Sequence, residues 1–219
     1  PMPAWSVTRP SSCVSCQVCL WSPALIASFG FLDYADELWW HEGILGVTHS
    51  REVHLLDIQG NSLAPRTATL DTPGLALGVA SAGDLAFVAD YNRGLQVIDV
   101  ASATTPVIVA TVATPGFAWD VATSDGRAYV ANFSGLTVVD ATVPSAPFAV
   151  GQFDLPPNGH GVAVMGDLAC VTWGYAEDGG LALIDVSDSA VPVEFATVGL
   201  PDSGWGVDIG GDLAYVGHG

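Results

Sequence analysis

Apolar residues along the chain fall in short runs. Leu85-Ala86-Phe87-Val88, Ala128-Tyr129-Val130 and Leu168-Ala169-Cys170-Val171 are strand-sized, and Gly, Asp, Asn or Pro bound them. No segment sustains apolar residues at i, i+3, i+4 and i+7, and β-branched residues crowd the runs, so a helical reading fails. The pattern predicts an all-β chain of many short strands.

Four features recur in a fixed order. A short strand opens each unit: Leu77-Gly78-Val79, Trp119-Asp120-Val121, His160-Gly161-Val162 and Trp205-Gly206-Val207. A Gly/Asp turn then enters an apolar strand at Gly83-Asp84, Asp125-Gly126, Gly166-Asp167 and Gly211-Asp212. A third strand ends in Asp99, Asp140 or Asp185, with a weaker copy ending in Asp57. A fourth starts at Pro106, Pro147 or Pro192 and runs toward a turn at Pro73, Pro115, Pro156 or Pro201. The four aspartates are 42, 41 and 45 residues apart, and so are the four turn prolines. The longest unit carries its extra residues at 173–179, between its second and third strands.

A four-stranded unit of this kind is apolar on both faces and cannot stand alone; radial stacking buries both faces. A period of 41–45 residues with four strands is that of a β-propeller, whereas a sandwich demands no such constancy. The expected architecture is a β-propeller of four-stranded antiparallel blades, about four plus partial ones. The units lie near 30–70, 71–112, 113–154, 155–198 and, partially, 199–219. Residues 1–22 read as a divergent or partly disordered segment. The chain starts at Pro1 and stops after the second strand of a unit, so a fragment of a larger propeller is expected.

The strands Gly94-Leu95-Gln96-Val97-Ile98-Asp99, Gly135-Leu136-Thr137-Val138-Val139-Asp140 and Gly180-Leu181-Ala182-Leu183-Ile184-Asp185 resemble the signature of the LVIVD-repeat family. Ala86-Phe87-Val88-Ala89-Asp90 and Ala128-Tyr129-Val130-Ala131-Asn132 resemble its companion strand. The resemblance covers residues 23–219. It implies a propeller, often within a secreted or cell-surface protein, and no agreed activity. The first unit departs from it: Ile44-Leu45-Gly46-Val47 lacks the Gly/Asp turn, and Trp39-Trp40 precedes it.

Five basic residues stand against 23 acidic ones, a net charge of −18. That balance disfavours nucleic acid and anionic membrane surfaces as partners. No apolar run is long enough for a transmembrane helix. The acids are mostly aspartates at turns, which suits a solvated surface.

Several constellations invite a chemical reading. Cys13, Cys16 and Cys19 have metal-ligand spacing but lack a fourth ligand, so a divergent strand is the plainer account. Cys170 occupies the place of Phe87 and Tyr129 and reads as a buried apolar residue. The repeated Asp57, Asp99, Asp140 and Asp185 read as turn acceptors, because a catalytic residue is needed once and not in every blade. Walker, G-x-S-x-G and H-E-x-x-H motifs do not occur.

The better candidates form rings around a propeller axis. The residue two after the valine of each second strand is His49, Asp90, Asn132, Trp173 or His218. Trp119, Asp120, His160 and Trp205 start first strands on the same face. Such groups can hold a small ligand or, through His49, Asp90 and His218, a divalent cation such as calcium. Two functions follow. One is a non-catalytic scaffold, extracellular or at the cell surface, binding a protein, peptide or glycan. The alternative is a hydrolase or lactonase-like enzyme with a divalent cation in the channel.

Overall fold

The computed structural model describes residues 37–41, 44–59, 62–63, 68–155, 158–175 and 178–218. The segment 1–22, its three cysteines and the first strand-like run after Pro23 lie outside the described residues. Nineteen strands follow one another among those described: β1 (Glu37–His41), β2 (Ile44–His49), β3 (Glu52–Gln59), β4 (Ser62–Leu63), β5 (Ala68–Asp71), β6 (Val79–Ala82), β7 (Leu85–Ala89), β8 (Leu95–Asp99), β9 (Val107–Val112), β10 (Ala118–Ser124), β11 (Arg127–Asn132), β12 (Gly135–Asp140), β13 (Phe148–Asp154), β14 (Gly159–Met165), β15 (Leu168–Tyr175), β16 (Asp178–Asp185), β17 (Val193–Leu200), β18 (Gly204–Gly210) and β19 (Leu213–His218).

They pair as antiparallel meanders. β6 to β9, β10 to β13 and β14 to β17 each form a four-stranded sheet, and β18 pairs with β19. In the first sheet β1, β2 and β3 run in order and β5 pairs with β3 as the fourth blade strand. The short β4 folds back on the end of β3. The first strand of each sheet packs beside that of the next, from β1 through β6, β10 and β14 to β18. This is the propeller arrangement, with four-stranded antiparallel blades and the first strands innermost.

The period of two along each strand assigns residues to the gaps between blades. On β7, Ala86 and Val88 join the core toward the first blade, while Phe87 and Ala89 join the core toward the third. On β11, Ala128 and Val130 face back and Tyr129 and Ala131 face forward. Each blade is therefore apolar on both sides because each side is an interface. Cys170 is buried and free, as its repeat position requires.

The hairpin turns follow the order of glycine and aspartate. Where Gly comes first, at Gly83, Gly166 and Gly211, that residue alone takes positive φ; at Asp125-Gly126 both residues do. These are the φ patterns of the II′ and I′ turns that match strand twist. The aspartates ending the third strands cap the next turn. Oδ1 of Asp99, Asp140 and Asp185 accepts the amide of Ala101, Thr142 and Ser187 at 2.9–3.0 Å. The side chain of Asp57 lies outside the described ones.

Candidate functional site

The innermost strands shape the site through repeated irregularities. The β10–β11 register slips between Ala118 and Asp120, that of β14–β15 between Gly159 and Val162, and that of β18–β19 between Gly204 and Gly206. A bulge inserts an extra residue and re-aims its side chain. The slips hold Trp119, His160 with Gly161, and Trp205; Leu77 holds the repeat position of Trp119, His160 and Trp205. These four residues line one cavity of about 300 Å³.

The next repeat position forms a second layer: Gly78, Asp120, Gly161 and Gly206, with Glu37 in the first blade. From Glu37 to Gly161 its members alternate between a carboxylate and a close backbone approach. Glu37 Oε2 accepts the Val79 amide at 2.5 Å, and Asp120 Oδ2 accepts the Val162 amide at 2.8 Å. In both cases the acceptor reaches the innermost strand of the following blade. At Gly78 a Cβ would meet the Asp120 Cα at 2.5 Å, and at Gly161 it would meet the Gly206 Cα at 2.8 Å. No side chain fits at either position.

Glu37 and Asp120 line the 300 Å³ cavity and also a second one of about 450 Å³, walled by Ser81, Thr123, Val164 and Ile209 among others. They stand where the two cavities meet. Burial, and after it the Asp120 charge, raise the Glu37 carboxyl to about 8 against the opposing Val79 amide. Burial likewise raises Asp120 to about 6 against the Val162 and Val121 amides.

An aromatic path crosses the mouth. His160 stacks on Trp205 with centroids 4.5 Å apart and meets Trp119 edge-on at 5.5 Å. Trp119 meets Tyr91 edge-on, Tyr91 stacks on Phe117 at 4.2 Å, and Phe117 meets Phe133 edge-on. Trp205, Phe117 and Phe133 are 55%, 38% and 41% exposed. His160 Nδ1 lies 2.9 Å from the Gly204 carbonyl, which can only accept. Nδ1 therefore carries a proton and donates it to this carbonyl.

The sequence-derived candidates divide. Trp119, Asp120, His160 and Trp205 come together in this cavity. Asp90 is buried and accepts the Gly74 amide at 2.9 Å; burial raises its carboxyl. Asn132 is buried in its own turn, donating to Thr137 Oγ1 at 2.8 Å and accepting the Ser134 amide. His49 ends β2 opposite Glu52, and His218 ends β19 opposite Gly204. None of these four lines either cavity. Among the described residues, no three His, Cys, Asp or Glu side chains gather in a way that could hold a metal ion.

Glu37, Tyr91, Phe117 and Phe133 are additions that the sequence reasoning missed. A signal existed for two: Tyr91 and Phe133 each directly follow the ring position held by Asp90 and Asn132.

A family model described as LVIVD repeat matches residues 73–114, 115–155 and 158–199, together more than half of the chain. No curated protein matches. A crystal structure of the computationally designed Ika8 protein aligns over 84% of this chain and 68% of its own, with a TM-score of 0.52 and 8% identity. At that identity the likeness concerns the fold alone.

Proposed function

We propose that this chain, which belongs to the LVIVD-repeat family, is a non-catalytic recognition scaffold that binds a peptide or glycan across the axial mouth. The aromatic path from Phe133 to Trp205 carries the proposal. It spans several blades, leaves three large rings partly open to solvent, and ends at a cavity that Glu37 and Asp120 also line. Rigid aromatic surface with few rotatable bonds is what recognition sites use to gain contact area at low entropic cost. Trp119, His160 and Trp205 sit on bulged first strands, and Tyr91, Phe117 and Phe133 in the short loops and turns beside the strands, so a packed frame holds all six. The proposal includes an extracellular or cell-surface setting, supported by the acidic composition.

The test is a screen of the full chain on peptide and glycan arrays beside a Trp205→Ala, Phe117→Ser variant. Ligands held by the parent and lost by the variant are expected. Ligands held equally by both would overturn the assignment of this face. Turnover of small esters or lactones with added calcium or zinc would overturn the non-catalytic part.

A further inference from the structure

We propose that the mouth formed by Trp119, His160 and Trp205 takes the basic side chain of a peptide, with its cationic head at Glu37 and Asp120. The inference rests on the recognition reading above and specifies its ligand.

Three observations converge. The cavity walls are aromatic, and ring faces attract ammonium and guanidinium groups. Its lining holds two carboxyl groups whose described hydrogen-bond partners are backbone amides, and no lysine or arginine lines it. An incoming cation supplies the missing counter-charge in a place where water screens poorly. Third, the Trp119 indole Nε1 is buried with no hydrogen-bond acceptor among the described residues. With the indole turned toward the mouth, a bound peptide would offer it a backbone carbonyl as acceptor, which a bare metal ion cannot. The whole chain agrees in sign: it carries a net charge of −18 and contains no lysine. Approach of a basic segment is electrostatically steered.

The probe is a capped glycine pentapeptide with one central lysine, followed through the indole N–H resonances of Trp119 and Trp205. Its Nε-acetylated form keeps the shape and removes the charge. The expected result is saturable movement of both indole signals, about tenfold weaker for the acetylated peptide and for the Glu37→Gln, Asp120→Asn variant. Asp185→Asn, in a third-to-fourth-strand turn outside both cavities, should leave affinity within about twofold, because an exposed distant charge is screened. If the double variant does not fold, Trp205→Ala, on a half-exposed ring, carries the test with the same expected loss. Equal binding of the acetylated peptide would overturn the cation and leave the aromatic recognition face standing. Equal losses in Asp185→Asn and the site variants would reveal general attraction to an acidic protein and overturn the site. No indole movement with the lysine peptide would also overturn it.

Discussion

Oδ2 of Asp120 accepts a hydrogen bond from the amide of Val162, a residue 42 positions later on the innermost strand of the next blade. Glu37 and Val79 make the same contact 42 positions apart, two blades earlier. Each carboxylate ties two first strands that share no ladder. Between them, at Gly78 and Gly161, the neighbouring backbone comes too close for a side chain. The mouth is thus built from alternating ties and close approaches.

Removing a tie leaves a buried donor unmet. Asp120→Ala should destabilise the chain by about 1–3 kcal/mol, the usual cost of orphaning a buried polar group. Asp120→Asn keeps an acceptor oxygen and should cost less. Urea midpoints of the two variants check the order, and equal losses would remove the tie from the account.

The same carboxyls set a pH dependence. Glu37 moves from an ordinary 4.5 to about 8, and Asp120 from 3.8 to about 6. Between the unfolded and folded values the folded chain holds more protons than the unfolded one. Their contribution is therefore complete below about pH 4 and lost as pH climbs through 6 and then 8. The melting temperature should fall between pH 5 and 8 by on the order of 5 °C. Glu37→Gln with Asp120→Asn should flatten that slope. Asp140 and Asp185 shift the other way, lowered by the hydroxyl and amide of Thr142 and of Ser187, so their effect is confined to more acid conditions. A slope unchanged in the double variant would assign it to other groups.

Two glycines separate conformational cost from collision. Gly83 and Gly94 both take positive φ, yet a Cβ at Gly83 meets nothing while one at Gly94 would strike the Val112 carbonyl oxygen. Gly83→Ala should cost about 1 kcal/mol from the left-handed backbone alone. Gly94→Ala adds a steric clash between β8 and β9 and should cost clearly more. Thermal melts of the two variants measure the difference.

Much of this was legible beforehand, because repetition exposes structure. Blade strands, turn glycines and capping aspartates each appear at one phase of the repeat, and a residue type kept at one phase reports a shared environment. Asp99, Asp140 and Asp185 could be read as turn acceptors on that basis. The first two residues of the opening triplets, Trp119-Asp120 among them, proved to be the two layers of the mouth. Side-chain direction was less legible. Asp90 and Asn132 share a phase with His49 and His218, but short polar side chains at strand ends turn back to nearby backbone amides, here Gly74 and Ser134. Glu37 escaped notice because the first unit lacks the Gly/Asp turn that sets the phase elsewhere. Its role emerged only when β1 paired with β2 and brought Glu37 opposite Thr48.

Burial between blades, and not residue type, decides what a tyrosine is worth here. Tyr129 and Tyr215 occupy the same phase of the repeat, yet Tyr129 is 2% exposed and Tyr215 is 55% exposed. Tyr129 packs forward against the fourth blade with Val162, Ala169 and Ile184. Tyr129→Ala should cost about 3–5 kcal/mol, the range for emptying a buried aromatic site. Tyr215→Ala should fall within about 1 kcal/mol, because most of the ring already meets water. Phe195, 76% exposed on β17, belongs with Tyr215 in this respect. Denaturant midpoints for the two tyrosine variants decide the matter. Similar losses at both positions would mean that stability comes from within each sheet, and that stacking between blades contributes less than the apolar faces imply.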